Sequence, residues 1–466
     1  MVKNISRRTF VKGTVAATGL AAISSGYDII HPKGTFASEK SPATYGFTYC
    51  DNCNTVPKCG LTATIKEGKI VRIESKENYP NSPICAKGVA TIQELYDPER
   101  LLHPIMRTAP KGSTDPKWER ISWDQAYSII AEKLNGVKQR YGAEKVMFYT
   151  GDPKEARPII QRLANVFGSP TYGNESSTCA MGPQTSARLV LGRPMLGADP
   201  GPKTKSCLIW SNNAAWSLPA QFGRLCDAKR NGTKFIVVDP RVTPTVSAVA
   251  DIHLQLRPGT DGALALGMAH IMLRDGLYDK EFAESWIHGF DEFANYVKEF
   301  TPEKVAEITW VPKERIEAAV QLYVKESPGT WISSASATTH QRNGGHAQRA
   351  ILAIVALAGY VDVEGGLEMN SGLPFDGFAG NPTFSGVPDL YPEIRHKRPD
   401  LNDFPVWAHF NQEMQVNMFP EYVDQGKIKA MYMIGGNAMM WPQPAVYQKA
   451  LEKLEFSVAA DYYLRP

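Results

Sequence analysis

The sequence predicts an α/β protein, with a small cysteine-bearing N-terminal domain built on a β-hairpin followed by doubly wound αβα domains. Three observations predict it. The order strand, loop, helix, strand runs through 207–239 and recurs at 430–461, and four of the seven cysteines fall within 50–85 around a hairpin pattern. The third is size: 466 residues with 43% hydrophobic content are too many for one core, so the chain divides into several domains.

The N-terminus reads as an address. Ser6-Arg7-Arg8-Thr9-Phe10-Val11-Lys12 precedes a mild apolar run from Gly13 to Ser25 and a small-residue site at Thr35-Phe36-Ala37. This is the pattern of a twin-arginine signal over 1–37, a route that carries proteins already folded and suits a cofactor inserted in the cytoplasm. The apolar run is too short and too glycine-rich to span a bilayer. Lys3, Arg7, Arg8, Lys12 and Lys33 against Asp28 give the signal a net charge of +4, so the whole-chain +3 leaves −1 for the remainder. Nothing in so neutral a composition points to a nucleic-acid partner.

The cysteines follow the pattern Cys50-x2-Cys53-x5-Cys59-x25-Cys85 and close on Ala86-Lys87-Gly88. Thiolates at such spacings can converge on a soft metal centre, and the spacing alone leaves an iron-sulfur cluster and a structural zinc both open, with a disulfide pair as the lesser alternative. Between the third and fourth cysteines, residues 61–65 and 69–73 alternate about Lys66-Glu67-Gly68 and predict a hairpin that delivers Cys85. A helix follows: Ser122 and Gln125 form a capping box, Ala126, Ile129, Ile130, Leu134 and Val137 share one face, and Gly142 ends it. A strand is expected at 145–150.

The first αβ unit places a strand at 207–210 before Ser211-Asn212-Asn213, a helix opened by Pro219 and stopped near Gly232, and a strand at 235–238 before Asp239-Pro240-Arg241. A strand at 253–257 then leads into Pro258-Gly259-Thr260-Asp261 and a helix through Arg274. The second unit places a strand at 430–434 before Gly435-Gly436-Asn437, a helix from Pro444 through Leu454, and a strand at 456–460 before Asp461. Asn212 to Asp239 spans 27 positions and Asn437 to Asp461 spans 24, which suggests two copies of one nucleotide-cradling half and hence two dinucleotide ligands. No Gly-x-Gly-x-x-Gly occurs, which argues against a nicotinamide dehydrogenase. Residues 365–420 lack periodicity and read as an ordered loop at an entrance or as an insertion without function.

Together these features make the chain resemble the molybdopterin oxidoreductases of the dimethyl sulfoxide reductase superfamily. The resemblance runs from about Thr44 to the last residue. It rests on the cysteine cluster, Cys85-Ala-Lys87-Gly88, Tyr96-Asp97-Pro98-Glu99-Arg100-Leu101-Leu102, Trp118-Glu-Arg-Ile-Ser-Trp123, Val238-Asp239-Pro240-Arg241, Pro258-Gly259-Thr260-Asp261-Gly262 and Gly435-Gly436-Asn437, in the family's order.

The resemblance implies a [4Fe-4S] cluster on Cys50, Cys53, Cys59 and Cys85, with Lys87 holding positive charge between cluster and pterin. The family places three residues between the second and third cysteines, whereas this sequence has five, so a bulge at Pro57 is expected. It also implies molybdenum or tungsten on two molybdopterin guanine dinucleotides, with Cys179 of the Tyr172–Gly182 loop as the protein ligand. Cys207 and Cys226 read as ordinary buried cysteines. Asp239 and Asp261 are candidates for the guanine edges, Arg241 for phosphate, and Asn212, Gly259, Gly436, Asn437 and Asp461 for the remaining dinucleotide contacts.

Formate dehydrogenases of the superfamily have a histidine straight after the metal ligand, and Ala180 stands there instead. The chain therefore resembles most the catalytic subunit of an exported, anaerobic reductase of a sulfur compound or similar oxyanion. His340, Arg342 and His346 are candidates for steering an anionic acceptor. The resemblance further implies an iron-sulfur electron-transfer subunit and a membrane anchor linked to quinone as partners. A lyase resembling the family's tungsten hydratase is the alternative, favoured by 118–123 and 277–282 and disfavoured by the export signal and by Asn54. A truncated fragment is the third reading, because the family's C-terminal β-barrel is expected to be absent. The expected domains are the signal (1–37), a [4Fe-4S] domain (44–105), one αβ domain from 106–170 with 331–466, and a Rossmann-like domain over 171–330.

Overall fold

A computed structural model describes residues 42–53, 57–152, 156–334, 336, 338–369 and 392–465. The signal-like segment and the middle of the aperiodic stretch, 370–391, lie outside the described residues. The chain forms two compact units, 1–100 and 101–466.

In the first unit, β1 (Thr44–Cys50), β2 (Cys59–Lys66) and β3 (Lys69–Ser75) form an antiparallel sheet in that order. The expected hairpin is β2 and β3. Glu67 and Gly68 form its turn at φ 50° and 75°, the left-handed pair that matches the twist of a two-residue hairpin. Helix α1 (Ala86–Leu95) follows with Cys85 as its N-cap residue.

In the second unit, β4 (Ile105–Arg107) and β5 (Trp118–Arg120) pair as a short antiparallel ribbon. Helix α2 (Trp123–Tyr141) carries the expected capping box, and buries Ala126, Leu134 and Val137. Next come β6 (Val146–Thr150), α3 (Arg157–Phe167), β7 (Tyr172–Asn174) and α4 (Met181–Leu191). The first αβ unit is β8 (Ser206–Trp210), α5 (Pro219–Arg230) and β9 (Lys234–Val238), continued by β10 (Ile252–Leu254) and α6 (Asp261–Arg274). Then follow α7 (Lys313–Lys325), β11 (Gly329–Ser333) and α8 (Gly344–Leu357). The second αβ unit is β12 (Ala430–Ile434), α9 (Pro444–Lys453) and β13 (Phe456–Ala460).

The strands after β5 form two parallel sheets, with orders β10-β9-β8-β11 and β13-β12-β6-β7. The doubly wound expectation therefore holds. β7 lies just past the expected boundary at 170 and joins the sheet of β6, while β11 spans the boundary at 330 and joins the sheet of β8. The central strands β6 and β8, and the edge strand β11, are buried along their whole length, because helices cover the faces of each sheet. One core cluster joins Leu208, Trp210 and Trp331 to α6, α7 and α8. A second joins Met147, Tyr149 and Met431 to Phe419, Tyr422 and Tyr447.

The described part of the aperiodic stretch is not a bare loop. It folds as short helices at Pro392–Arg395, Pro405–Phe410 and Phe419–Asp424, too short to leave a readable hydrophobic period. Expected strand 253–257 is shorter than anticipated, since Pro258 and the turn at Gly259 end the pairing at Leu254. No helix among the described residues is long and apolar enough to cross a membrane.

Candidate functional site

Parallel strands deliver all their following loops to one edge of a sheet, where ligands of open αβ sheets bind. In the first sheet, that edge carries the loops after β8, β9 and β11. Asn212 is buried and its Nδ2 donates to Gln221 Oε1 at 3.2 Å, while Gln221 and Arg224 both donate to Asp199. Asp239 is buried, accepts from the Arg241 amide at 2.8 Å through Oδ1, and holds His253 Nε2 on its carbonyl. Arg241 and Gly259 are exposed.

Asp261 begins α6 and is buried. Trp210 Nε1 donates to its Oδ1 at 2.8 Å and Gln341 Nε2 to its Oδ2 at 2.6 Å. This carboxylate ties the end of β8, the start of α6 and the loop after β11 into one knot, so both oxygens are already engaged within the protein. Asp261 thus scaffolds three elements, and each of its oxygens keeps acceptor capacity for a further donor.

The second sheet repeats the arrangement after β12 and β13. Asn437 accepts from the Met439 amide at 3.0 Å, and Asp461 accepts from the amides of Tyr462 and Tyr463 while pairing with Arg465. Gly435 turns at φ 60°, and a Cβ on Gly151, at the end of β6, would lie 1.9 Å from the Gly435 carbonyl oxygen. A Cβ on Gly436 would fall 2.9 Å from the Tyr149 ring. The turn at 435–437 is thus held against its neighbours at a distance that only glycines permit.

Cys179 lies where these two edges meet. β7 ends at Asn174, whose side chain caps a 3₁₀ turn, Glu175–Thr178, and Cys179 follows at the N-terminal end of α4. The loop after β11 reaches across to it: the Thr339 hydroxyl donates to the Cys179 carbonyl, and His340 Nε2 donates to the Thr178 carbonyl at 3.1 Å. Arg342 and His346 are exposed on the same loop and the first turn of α8. Behind the loop, Arg157 and Glu175 form an ion pair, and Tyr172 sits buried with its phenol pushed up to about 12 by desolvation, an effect the Asn174 hydrogen bond opposes. Burial and the nearby Glu175 likewise raise Tyr149.

In the first unit, Cys50 and Cys59 are direct cross-strand partners. A Cβ on Gly88, in the first turn of α1, would be 3.4 Å from Cys50 Sγ, and Cys85 caps that same helix. Three of the four cysteines are gathered at one end of the small sheet. Thiolates suit an iron-sulfur cluster and a structural zinc alike by type, and no three His, Cys, Asp or Glu side chains converge as a ligand set among the described residues. Pro57 is exposed and its carbonyl accepts from buried Asn81, while the rest of the expected bulge, 54–56, lies outside the described residues. Asn52 donates to the Lys87 carbonyl at 2.8 Å and to Thr91, which fixes the helix turn that bears Lys87. Cys207 is fully buried in β8 and its thiol is driven up by desolvation, as an inert core cysteine would be.

Three features had no clear sequence signal: the Trp210–Asp261–Gln341 knot, the Arg157–Glu175 pair, and a buried pair of Arg398 with Asp400. Each joins residues far apart in sequence or sits in the aperiodic stretch, where periodicity carries no information.

The model of the molybdopterin oxidoreductase family matches residues 100–465, and the chain belongs to that family, in the dimethyl sulfoxide reductase superfamily fold. The family implies a molybdopterin cofactor carrying molybdenum or tungsten. Among curated relatives, the molybdopterin-containing subunit PhsA of Salmonella typhimurium thiosulfate reductase is 30% identical over 372 residues, covering 78% of this chain and 47% of the relative. Acetylene hydratase of Syntrophotalea acetylenica is 34% identical over 318 residues, covering 66% and 42% respectively. The chain therefore spans about half the length of such relatives. Among solved structures, acetylene hydratase from Pelobacter acetylenicus superposes with a TM-score of 0.74 at 26% identity, covering 90% of this chain and 60% of that one.

Proposed function

We propose that this chain forms the cofactor-binding part of an exported molybdopterin oxidoreductase that reduces a sulfur compound or similar oxyanion. The observation that carries this reading is the position of Cys179, a cysteine loop at the meeting of two parallel-sheet edges that each offer an Asn and an Asp at matching positions. Cys179 would supply the protein thiolate to the metal. Asn212, Asp239, Arg241 and Gly259 would hold one guanine dinucleotide, and Gly436, Asn437 and Asp461 the other. Among the described residues Asp239 Oδ2 has no hydrogen-bond donor, which suits it to a guanine edge. When bound, the metal supplies two-electron exchange coupled to atom transfer. The chain's own part is to orient: His340 is anchored on the ligand loop through Thr178, and the neighbouring Arg342 presents its positive charge to an anionic acceptor.

A [4Fe-4S] cluster on Cys50, Cys53, Cys59 and Cys85 would feed electrons, with Lys87 easing passage between two anionic centres. An iron-sulfur subunit, a quinone-linked membrane anchor and export through the segment 1–37 complete the proposal. Metal analysis and guanine release test it directly. Molybdenum or tungsten near one per chain, lost in Cys179→Ala, is expected, and the [4Fe-4S] EPR signal should vanish in Cys50→Ala. A wild-type chain with neither metal nor guanine would refute the reading.

The likeness in sequence and structure to acetylene hydratases favours a second reading, a lyase without net redox. Reduced viologen separates the two. A reductase consumes it in proportion to acceptor, whereas a hydratase turns over with no net electron uptake.

A further inference from the structure

The side chains of Arg398 and Asp400 are fully buried and paired through both guanidinium and carboxylate atoms, Nε to Oδ1 at 2.9 Å and Nη2 to Oδ2 at 2.8 Å. Buried pairs of this kind seldom add net stability over well-packed apolar residues, so the geometry they impose is the informative quantity. Here three further bonds from the pair grip one arch of backbone. Arg398 Nη1 donates to the Asn411 carbonyl at 2.7 Å and Nη2 to the Glu413 carbonyl at 3.2 Å, while Asp400 Oδ2 accepts from the Gln415 amide at 2.9 Å. Trp407 Nε1 adds a second donor to the Glu413 carbonyl at 2.7 Å.

The arch in turn grips the loop that bears Cys179. The Met414 amide donates to the Tyr172 carbonyl at 2.8 Å, extending β7 on its open side. The Val416 amide donates to Ser177 Oγ at 3.3 Å, and Asn174 Nδ2 approaches Glu413 Oε1 at 3.5 Å. Asn411 Nδ2 reaches Thr185 Oγ1 in α4 at 3.1 Å, so the arch touches the chain on both sides of Cys179.

We propose that Arg398 and Asp400 are positioning residues that set the conformation of the Cys179 loop through the arch 411–416. The proposal rests on the reading of Cys179 as the metal ligand only for its functional meaning; the mechanical coupling stands apart from it. A planar five-donor fork serves a carboxylate and two carbonyls at once, which an ammonium cannot do.

The test uses the full chain as purified, with Arg398→Lys, which keeps the charge, and Ser177→Ala, which removes the Val416–Ser177 bond between arch and loop but leaves the buried pair intact. Amide exchange is followed over 172–179, 411–416 and the β8 peptide, together with peptide-resolved alkylation of Cys179 by iodoacetamide. Arg398→Lys should raise exchange at 172–179 and 411–416 and Cys179 alkylation by about tenfold, with β8 unchanged. Ser177→Ala should raise exchange at 172–179 and Cys179 alkylation alone. Wild-type rates at 172–179 and Cys179 in a folded Arg398→Lys protein, with 411–416 loosened, would overturn the proposal; if that variant does not fold, the same result in Asp400→Asn, which disturbs the pair from its other side, overturns it. Metal content of the wild-type chain is measured separately and bears on the ligand reading alone.

Discussion

Replacing Gly151 with alanine tests whether the second nucleotide cradle is built by backbone contact. Gly151 extends the ladder of β6, its amide donating to the Ile434 carbonyl at 2.8 Å. An added Cβ would lie 1.9 Å from the Gly435 oxygen and 2.7 Å from its carbonyl carbon, where ordinary contact begins at 3.4 Å. Something must therefore move by about 1.5 Å, and the obstruction is main chain rather than a side chain that can rotate away. The Gly435 amide is itself bonded to the Ala460 carbonyl at 3.0 Å, so the displaced turn cannot shift without disturbing the start of the Asp461 loop. Overpacking of this kind costs about 1–3 kcal/mol. Chemical denaturation of Gly151→Ala should show that loss, and guanine released from the denatured protein should fall toward half. A Gly151→Ala protein with wild-type stability and guanine content would refute the argument.

Other substitutions probe the remaining parts of the site. Trp210→Phe keeps the ring in the core but removes one of two donors to buried Asp261, and a lost hydrogen bond to a buried carboxylate should cost about 1.5–3 kcal/mol in urea unfolding; an unchanged midpoint would remove Asp261 from the knot. Tyr172, held up to about 12 against an ordinary 10, favours the neutral phenol in the fold, so its contribution is complete below pH 10 and is lost as pH rises through 12. The stability of Tyr172→Phe should therefore fall less steeply over that interval, by at most roughly 1.4 kcal/mol per pH unit, and identical slopes would contradict the assignment. Asp239→Asn should lower bound guanine more than Asp461→Asn, because Asp461 is already paired with Arg465 at 3.2 Å; equal losses would count against Asp239 as the principal guanine acceptor.

The sequence was most informative where local chemistry and tertiary structure ask for the same thing. The Ser122–Gln125 box, the turn at Glu67-Gly68, and the strand and helix spans of both αβ units were legible because caps, turn residues and apolar runs are local signals. The site was legible as a set of loop positions, since parallel strands fix which loops share an edge. What those loops do to one another was not. Asp261 reads in sequence as a candidate for a guanine edge after a Gly turn, and only the approach of Trp210 from 51 positions upstream and of Gln341 from 80 downstream shows that it also ties a knot. The segment around Arg398 was opaque for a related reason. Its short helices offer no period, and its burial depends on one ion pair and on carbonyls that any residue could supply.

The duplicated unit does not make duplicated environments. β9 lies inside its sheet, flanked by β8 and β10, and Asp239 at its end is buried with Asn212 braced by Gln221, Asp199 and Arg224. Among the described residues β13 is an edge strand, paired with β12 alone, and Asp461 and Asn437 at the corresponding positions are partly exposed. An acidic side chain fixed in a buried cradle has lost its alternative partners before a ligand arrives, so less ordering remains to be done on binding. One whose carboxylate is held by an arginine near the end of the described chain must exchange that partner for the ligand. On the proposed reading, the same Asn and Asp, separated by nearly the same number of residues, would form a preorganised cradle in one sheet and an adjustable one in the other. Cys179, between them, draws its support from both: from the second sheet through β7 and the arch 411–416, and from the first through Thr339 and His340.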